Sequence, residues 1–297
     1  MSQIKPIAQN GSLEAFVYID DPLPAQLSVF NSTETLAFQY TAFTLITTAH
    51  EAVLVDAPPT IAQAEKLADW IAKVIGDRKL NTIYITHGHG DHFFSAPTIQ
   101  KRFPGARIRA TQAAFNHMQL HLSEPVFTSF WIPLFPVLEA EGPPAIDVDS
   151  LPPTDNSFIV DGHQFHAIPV VGGDTVASTV LHVPELDLVV TGDVVYGNCY
   201  QYFAENKTPE LRRMWMKAID QVAGLHPKTV VPSHMQPNES FGVNHLQETK
   251  DYILAWEKLD ADTETWQELE AAAMKAYPNR TGSYILRNSA LVAKGLM

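Results

Sequence analysis

Residues 80–86 read LNTIYIT, a short and nearly continuous apolar run. Such a run suits a strand covered on both faces, since a strand with one wet face alternates apolar and polar positions. It calls for a layered α/β architecture before any other element is considered. His87-Gly88-His89-Gly90-Asp91-His92 follows at once. Three histidines and an aspartate therefore occupy a loop at the C-terminal end of a buried strand, where open α/β sheets place their ligand sites. Glycines 88 and 90 are expected to permit the sharp backbone that wraps these side chains around an ion. One ion could not use all four at such short spacing, so two ions are expected, with His87 and His89 sharing one centre and Asp91 and His92 a second.

The elements around this loop support the layers. EAFVYID (14–20), LAFQYTAFTLITT (36–48) and EAVLVDA (51–57) are rich in β-formers and bounded by turn residues, which predicts a meander of strands. From Thr60, residues Ile61, Ala64, Leu67, Ala68, Ile71, Val74 and Ile75 recur at helical spacing and end at Gly76, an amphipathic helix. A helix over about 93–103, a strand at 106–110 and a helix over 112–122 come next. The second half repeats the logic: strands at 156–160, 164–170, 178–183 and 187–191, a helix near 208–224, a strand at 228–232, and helices near 244–258 and 262–276. Two similar β-then-α halves predict one domain over 1–297, folded as a four-layer αββα sandwich with C-terminal helices after about 244. Between 123 and 153 the chain holds seven prolines with Phe127, Phe130, Trp131 and Phe135. This stretch is too irregular for a regular element and too apolar for a solvated linker, and reads as a lid or pocket wall.

Composition closes off several functions. The formal charge of −13, with no basic cluster larger than a pair, argues against nucleic acid and anionic membranes as partners. Cys199 is the only cysteine, so thiolate-rich zinc sites and internal disulfides are out, and it is expected to be a small buried residue. Any metal must be held by His, Asp or Glu. The start, MSQIKPIAQNGS, has no apolar core of a leader, and no window reaches 18 uncharged apolar residues, so the expected compartment is the cytoplasm. The expected partner is a small molecule, with a homodimer left open.

HxHxDH at 87–92 resembles the signature of the metallo-β-lactamase superfamily, and the similarity extends along most of the chain. EAVLVDAPPT (51–60) resembles the strand that ends in Asp before the first helix, with Asp56 expected to brace a histidine. TGD, with Asp193, resembles the bridging carboxylate, and VVPSH, ending in His234, the final ligand. The resemblance implies the αββα fold and a hydrolase with two divalent ions, zinc first, with Mn or Fe as alternatives. The chain departs from the family pattern at GGDTVAS (172–178), where Asp174 stands at the position of an expected histidine. Asp174 is read as a ligand of the first ion; a ligand from His163, His166 or His182, or an empty first site, stay open. Two ions, two aspartates and a hydroxide carry a net charge near plus one, and Asp174 brings it near zero. That predicts a less acidic bound water and greater tolerance of Mn or Fe.

The ligand set expected is therefore His87, His89, Asp91, His92, Asp174, Asp193 and His234. Asp91 is also expected to orient the attacking water and pass its proton to the leaving group. Tyr196, three residues past Asp193, resembles the tyrosine that assists the carbonyl in lactonases of the superfamily. His117 and His121 stand at i and i+4 but read as a surface face. An apolar lid without basic residues favours a lactone, ester or lactam. The alternatives are a thioesterase of the glyoxalase II type and a mononuclear iron oxygenase using His87, His89 and a carboxylate.

Overall fold

The structure, a computed structural model, describes residues 5–27 and 34–297, so the first four residues of the polar start lie outside the described set. In chain order its strands are β1 (Ala8–Asn10), β2 (Leu13–Asp20), β3 (Pro24–Gln26), β4 (Thr35–Ala37), β5 (Thr41–Thr47), β6 (Glu51–Val55), β7 (Lys79–Tyr84), β8 (Arg107–Thr111), β9 (Val148–Leu151), β10 (Ser157–Val160), β11 (His163–Pro169), β12 (Thr179–Val183), β13 (Leu188–Val190) and β14 (Thr229–Val231). One sheet has the order β1-β2-β5-β6-β7-β8-β9, antiparallel as far as β6 and parallel beyond it. The other runs β10-β11-β12-β13-β14, with only the last pair parallel, and β3 and β4 form a separate small hairpin.

The side-chain period of two explains how these sheets stack. On β6, Val53 and Val55 enter a core shared with Leu181, Leu188 and Val190 of the second sheet, while Ala52 and Leu54 face the helices. On β13 the same alternation turns Val189 outward. Each sheet therefore has one face on its partner and one on helices, which is the four-layer αββα arrangement. Each fully buried aliphatic side chain contributes roughly 1.5–3 kcal/mol of hydrophobic stabilisation, which the shared core gathers from both sheets. LNTIYIT behaves as its composition demands: Ile83 and Ile85 pack under the helices, and Tyr84 points between the sheets with its hydroxyl 2.6 Å from Thr179 Oγ1.

The helices are α1 (Ile61–Ile75), α2 (Ala96–Arg102), α3 (Gln112–Leu122), α4 (Pro209–Ala223), α5 (Asn244–Ala261), α6 (Trp266–Ala276) and α7 (Ser283–Ala293). α1 starts where the Thr60 side chain accepts from Gln63 N and stops at Gly76, as expected, although Ile61 on its first turn is exposed. α4 is capped by Thr208, and the Trp215 indole donates to Val194 O at 2.8 Å, which pins this helix to the loop carrying Asp193. None of the helices among the described residues is long and apolar enough to cross a membrane.

Four expectations need correction. The run 36–48 is not one strand: Phe38, Gln39 and Tyr40 leave the ladder between β4 and β5. A helix over 93–103 is instead a tight turn at Gly90–His92 followed by the shorter α2. The stretch 123–153 is more regular than its prolines indicate, because Pro at the first positions of a helical turn does not break it. It folds as helical turns at Glu124–Val126, Phe127–Trp131, Ile132–Leu134 and Leu138–Glu141 and then supplies the edge strand β9. Finally, α7 has no counterpart among the expected elements. It buries Tyr284, Ile285, Leu286, Ala290 and Leu291, and backbone bonds from Thr281 N to Asn198 O and from Tyr200 N to Thr281 O tie its start to the segment after Asp193.

Candidate metal centre

Every expected ligand lies at a strand end or in the turn that follows one. His87 to His92 leave β7; Asp174 lies between β11 and β12; Asp193 follows β13; His234 follows β14. Gly88 and Gly90 are needed for a reason other than the expected sharp backbone, since neither has a positive φ. A Cβ on Gly88 would stand 2.4 Å from Met118 N and 2.5 Å from His117 C, and one on Gly90 2.3 Å from the Phe94 ring. These glycines admit neighbours. At Gly192 both reasons apply: its φ is 52°, and a Cβ would meet Thr86 Oγ1 at 2.8 Å.

The outer nitrogen of each histidine has an acceptor that fixes its tautomer. His92 donates from Nδ1 to Asp56 Oδ2 at 3.1 Å. His87 Nδ1 lies 3.0 Å from Thr86 Oγ1, and that hydroxyl gives its own proton to Asp56 at 2.9 Å, so it accepts from the ring. His89 donates from Nε2 to Glu205 Oε1 at 2.9 Å, and His234 from Nδ1 to Tyr40 O at 2.9 Å. The remaining nitrogens, each with a lone pair in the neutral ring, all point inward. Asp56 thus braces His92, as expected, and the break after β4 is what delivers Tyr40 to His234.

Inward, these lone pairs meet carboxylates. His89 Nδ1 is 2.8 Å from Asp174 Oδ2 and 3.1 Å from His87 Nε2, which is itself 3.9 Å from Asp174 Oδ2. Asp91 Oδ2 lies 3.2 Å from His92 Nε2 and 3.4 Å from His234 Nε2. Asp193 lies against the second of these groups, with Oδ1 3.4 Å from His92 Nε2 and Oδ2 3.2 Å from His234 Nε2, and it also clusters with His87 of the first. His92 Nε2, Asp193 Oδ1 and both Asp174 oxygens are buried without a hydrogen bond. With neutral rings, lone pairs and carboxylate oxygens converge in this buried site as the donor set that a cation between them would satisfy. The groupings His87/His89/Asp174 and Asp91/His92/His234, with Asp193 beside both, have the donor chemistry for two divalent ions.

The charges follow the same pattern. Burial pushes Asp174 up to about 7, with Asp193 and Glu205 adding to the rise and His89 opposing it. Burial works against charge on His234, yet Asp193 and Asp91 raise it to about 9. Asp193 and Asp91 are held low against burial, chiefly by His234 and His92 respectively. His163, His166 and His182 join no such convergence: His163 pairs with Glu185 at 3.0 Å, and the other two are register partners across β11 and β12.

Residues 38–234 match the family model described as the metallo-beta-lactamase superfamily. The chain belongs to this superfamily. Among solved structures, a metallo-beta-lactamase family protein from Thermus thermophilus is 19% identical, with 93% of this chain and 91% of that one covered and a TM-score of 0.60. A metallo-beta-lactamase from Pontibacter korlensis is 17% identical, covering 85% and 99%, at 0.56. The metallo-beta-lactamase FIM-1 from Pseudomonas aeruginosa, solved in a mono-zinc form, is 14% identical, covering 84% and 93%, at 0.54. At these identities the likeness carries the fold alone. No curated protein sequence matches the chain.

Around this superfamily centre is a small cavity of about 30 Å³, walled by Phe38, Gln39, His121, Phe130, Trp131, Leu134, Tyr202, Tyr284 and Ile285 and floored by His89, Asp91, Asp174, Asp193, Tyr196 and His234. Tyr196 donates from its hydroxyl to Asp193 Oδ2 at 2.7 Å, so its proton is already engaged by the carboxylate. Sequence reasoning missed Phe38, Gln39, Glu205, Tyr284 and Ile285. It also misplaced His117 and His121. The close approach allowed by Gly88 buries His121 and brings both rings within about 5 Å of His89. Burial and then the neighbouring His89 depress His117 to about 4 and His121 to about 2, which keeps both rings neutral.

Proposed function

We propose that this chain is a dinuclear metal-dependent hydrolase that opens the carbonyl bond of a small, neutral, partly apolar substrate, a lactone or ester in preference to a lactam. The observation that carries the reading is the cavity wall: aromatic and aliphatic side chains face the centre, and neither Lys nor Arg lines it. An anionic substrate would lose its hydration there without a countercharge, which is costly in an apolar pocket.

His87, His89 and Asp174 are the residues that would hold one ion, Asp91, His92 and His234 the other, with Asp193 between them; zinc is the first expectation, Mn or Fe the alternative. Bound there, two ions supply Lewis acidity, making a water acidic enough to attack near neutral pH and a carbonyl more electrophilic. Asp91 accepts the proton of the attacking water and delivers it to the departing oxygen. Tyr196 holds Asp193 in orientation through its hydroxyl. Phe38, Trp131 and Leu134 keep bulk water from the acyl group.

The test is a substrate panel with metal-loaded protein. Neutral lactones and aryl esters are expected to exceed a carboxylate-bearing β-lactam and a glutathione thioester in kcat/KM by on the order of 100-fold. A preference for either anionic substrate would contradict the reading. The set His87, His89 and Asp174 also has the two-histidine, one-carboxylate composition of mononuclear iron oxygenases; a single iron with oxygen consumption would favour that second reading.

A further inference from the structure

The turn that carries Asp174 makes few bonds of its own. Asp174 N reaches Asp193 O only at 3.4 Å, and among the described residues no backbone N–H reaches the carbonyl of Gly173 or of Asp174. Both carbonyls accept instead from one side-chain amide: Asn206 Nδ2 donates to Gly173 O at 3.0 Å and to Asp174 O at 2.7 Å. The amide must present its NH2 there, since an amide oxygen has no proton to give. Asn206 is itself buried and anchored, because Arg212 of α4 donates from Nη1 to Asn206 O and from Nε to Glu257 Oε1, each at 2.9 Å. We infer that Asn206 is a positioning residue that sets the backbone of Gly173 and Asp174 so that the Asp174 carboxylate reaches the first ion. This deepens the two-ion hydrolase reading and rests on it.

Each ligating histidine is oriented through its own ring, whose outer nitrogen is held by a neighbour. Asp174 has no such hold. Both of its oxygens are buried without a hydrogen bond, and His89, with its proton turned toward Glu205, offers them a lone pair rather than a donor. A carboxylate is also a short ligand: its oxygens lie one bond nearer to Cβ than an imidazole Nε2 does, so side-chain rotation corrects less of an error in the backbone. The turn must therefore be placed from outside. Gly172 lets it lie against α4, where a Cβ would stand 3.1 Å from Trp215 N, and Asn206 fixes it there. Adjacent residues thus aim two ligands of the same ion, Glu205 through the His89 ring and Asn206 through the Asp174 backbone.

A Zn²⁺ titration of the metal-free protein against a chromophoric chelator tests this. Wild type should show two binding steps, and the step that Asp174→Ala loses identifies the first site. Asn206→Asp keeps the shape of the side chain but turns an oxygen on the two carbonyls, and Asn206→Ala removes the amide. Either should weaken that step about 10–100-fold and leave the other at its wild-type affinity. Wild-type affinity at both steps in the two variants would overturn the assignment and leave the hydrolase reading standing. An equal loss at both steps, the mark of a generally loosened fold, would overturn it as well. Two steps with the expected Asn206 dependence, in a loaded wild type that cleaves no lactone or ester, would end the hydrolase reading and keep the positioning role. A single step that Asp174→Ala leaves unchanged would overturn both.

Discussion

Two groups of histidines lie side by side around His89, and they differ in chemistry although both are tightly packed. In the first, His87, His89, His92 and His234 give their outer N–H groups to Thr86, Glu205, Asp56 and Tyr40 O, leaving the inner nitrogens to face Asp91, Asp174 and Asp193. In the second, His117, His121, His89 and Glu205 also bring one ligand atom each within 4.8 Å of the others. There the Trp131 indole donates to His121 Nδ1 at 2.9 Å, which puts the neutral ring's proton on Nε2, 3.1 Å from His117 Nε2. The lone pair that an ion would need is pointed at Trp131 instead. Crowded histidines therefore do not by themselves make a metal centre. What the far nitrogen touches decides it.

Removing the group that sets each tautomer should move the two sites in opposite directions. The larger effect is expected from Asp56→Ala, which strips partners from Thr86 N, the Thr86 hydroxyl and His92 Nδ1 inside the fold. Stability should drop by at least about 3 kcal/mol in thermal unfolding, since each abandoned buried donor costs about 1–3 kcal/mol. Affinity for the second ion should weaken roughly 10–100-fold in a metal titration. A variant as stable and as well metallated as wild type would break the comparison. The smaller effect is expected from Trp131→Phe. Loss of one hydrogen bond costs about 1 kcal/mol, and His121 becomes free to carry its proton on Nδ1 and turn a lone pair toward His117 and Glu205. This variant should take up one more ion than wild type in the same titration. No additional ion would mean that Trp131 is not what withholds the second cluster.

The parts of this arrangement that were legible in the sequence are those written in contiguous residues. The run LNTIYIT, the six residues after it, Asp193 in TGD and His234 in VVPSH each combine a buried strand with the ligand at its end, so strand pairing alone brings them together. Asp174 was legible only as a departure from a pattern. The rest is made by contacts far apart in the chain. Gln39 reaches Tyr200 across 161 positions, Tyr40 finds His234 across 194, and α7 reaches the cavity because Arg280 and Thr281 bond to the backbone of residues 197–200. No local period announces such meetings. His117 and His121 were misread because a helix's exposed face cannot be told from sequence when a glycine elsewhere, here Gly88, allows another segment to press against it.

The proposed two-ion centre depends on Asp174 completing the first site. Its most direct test is elemental analysis of wild type and Asp174→Ala, each purified without added metal and examined in parallel. The wild-type chain should carry close to two ions, falling to about one in the variant as the first site loses its carboxylate. Equal metal content in the two proteins would contradict it, for the carboxylate 2.8 Å from His89 Nδ1 would then not be holding an ion.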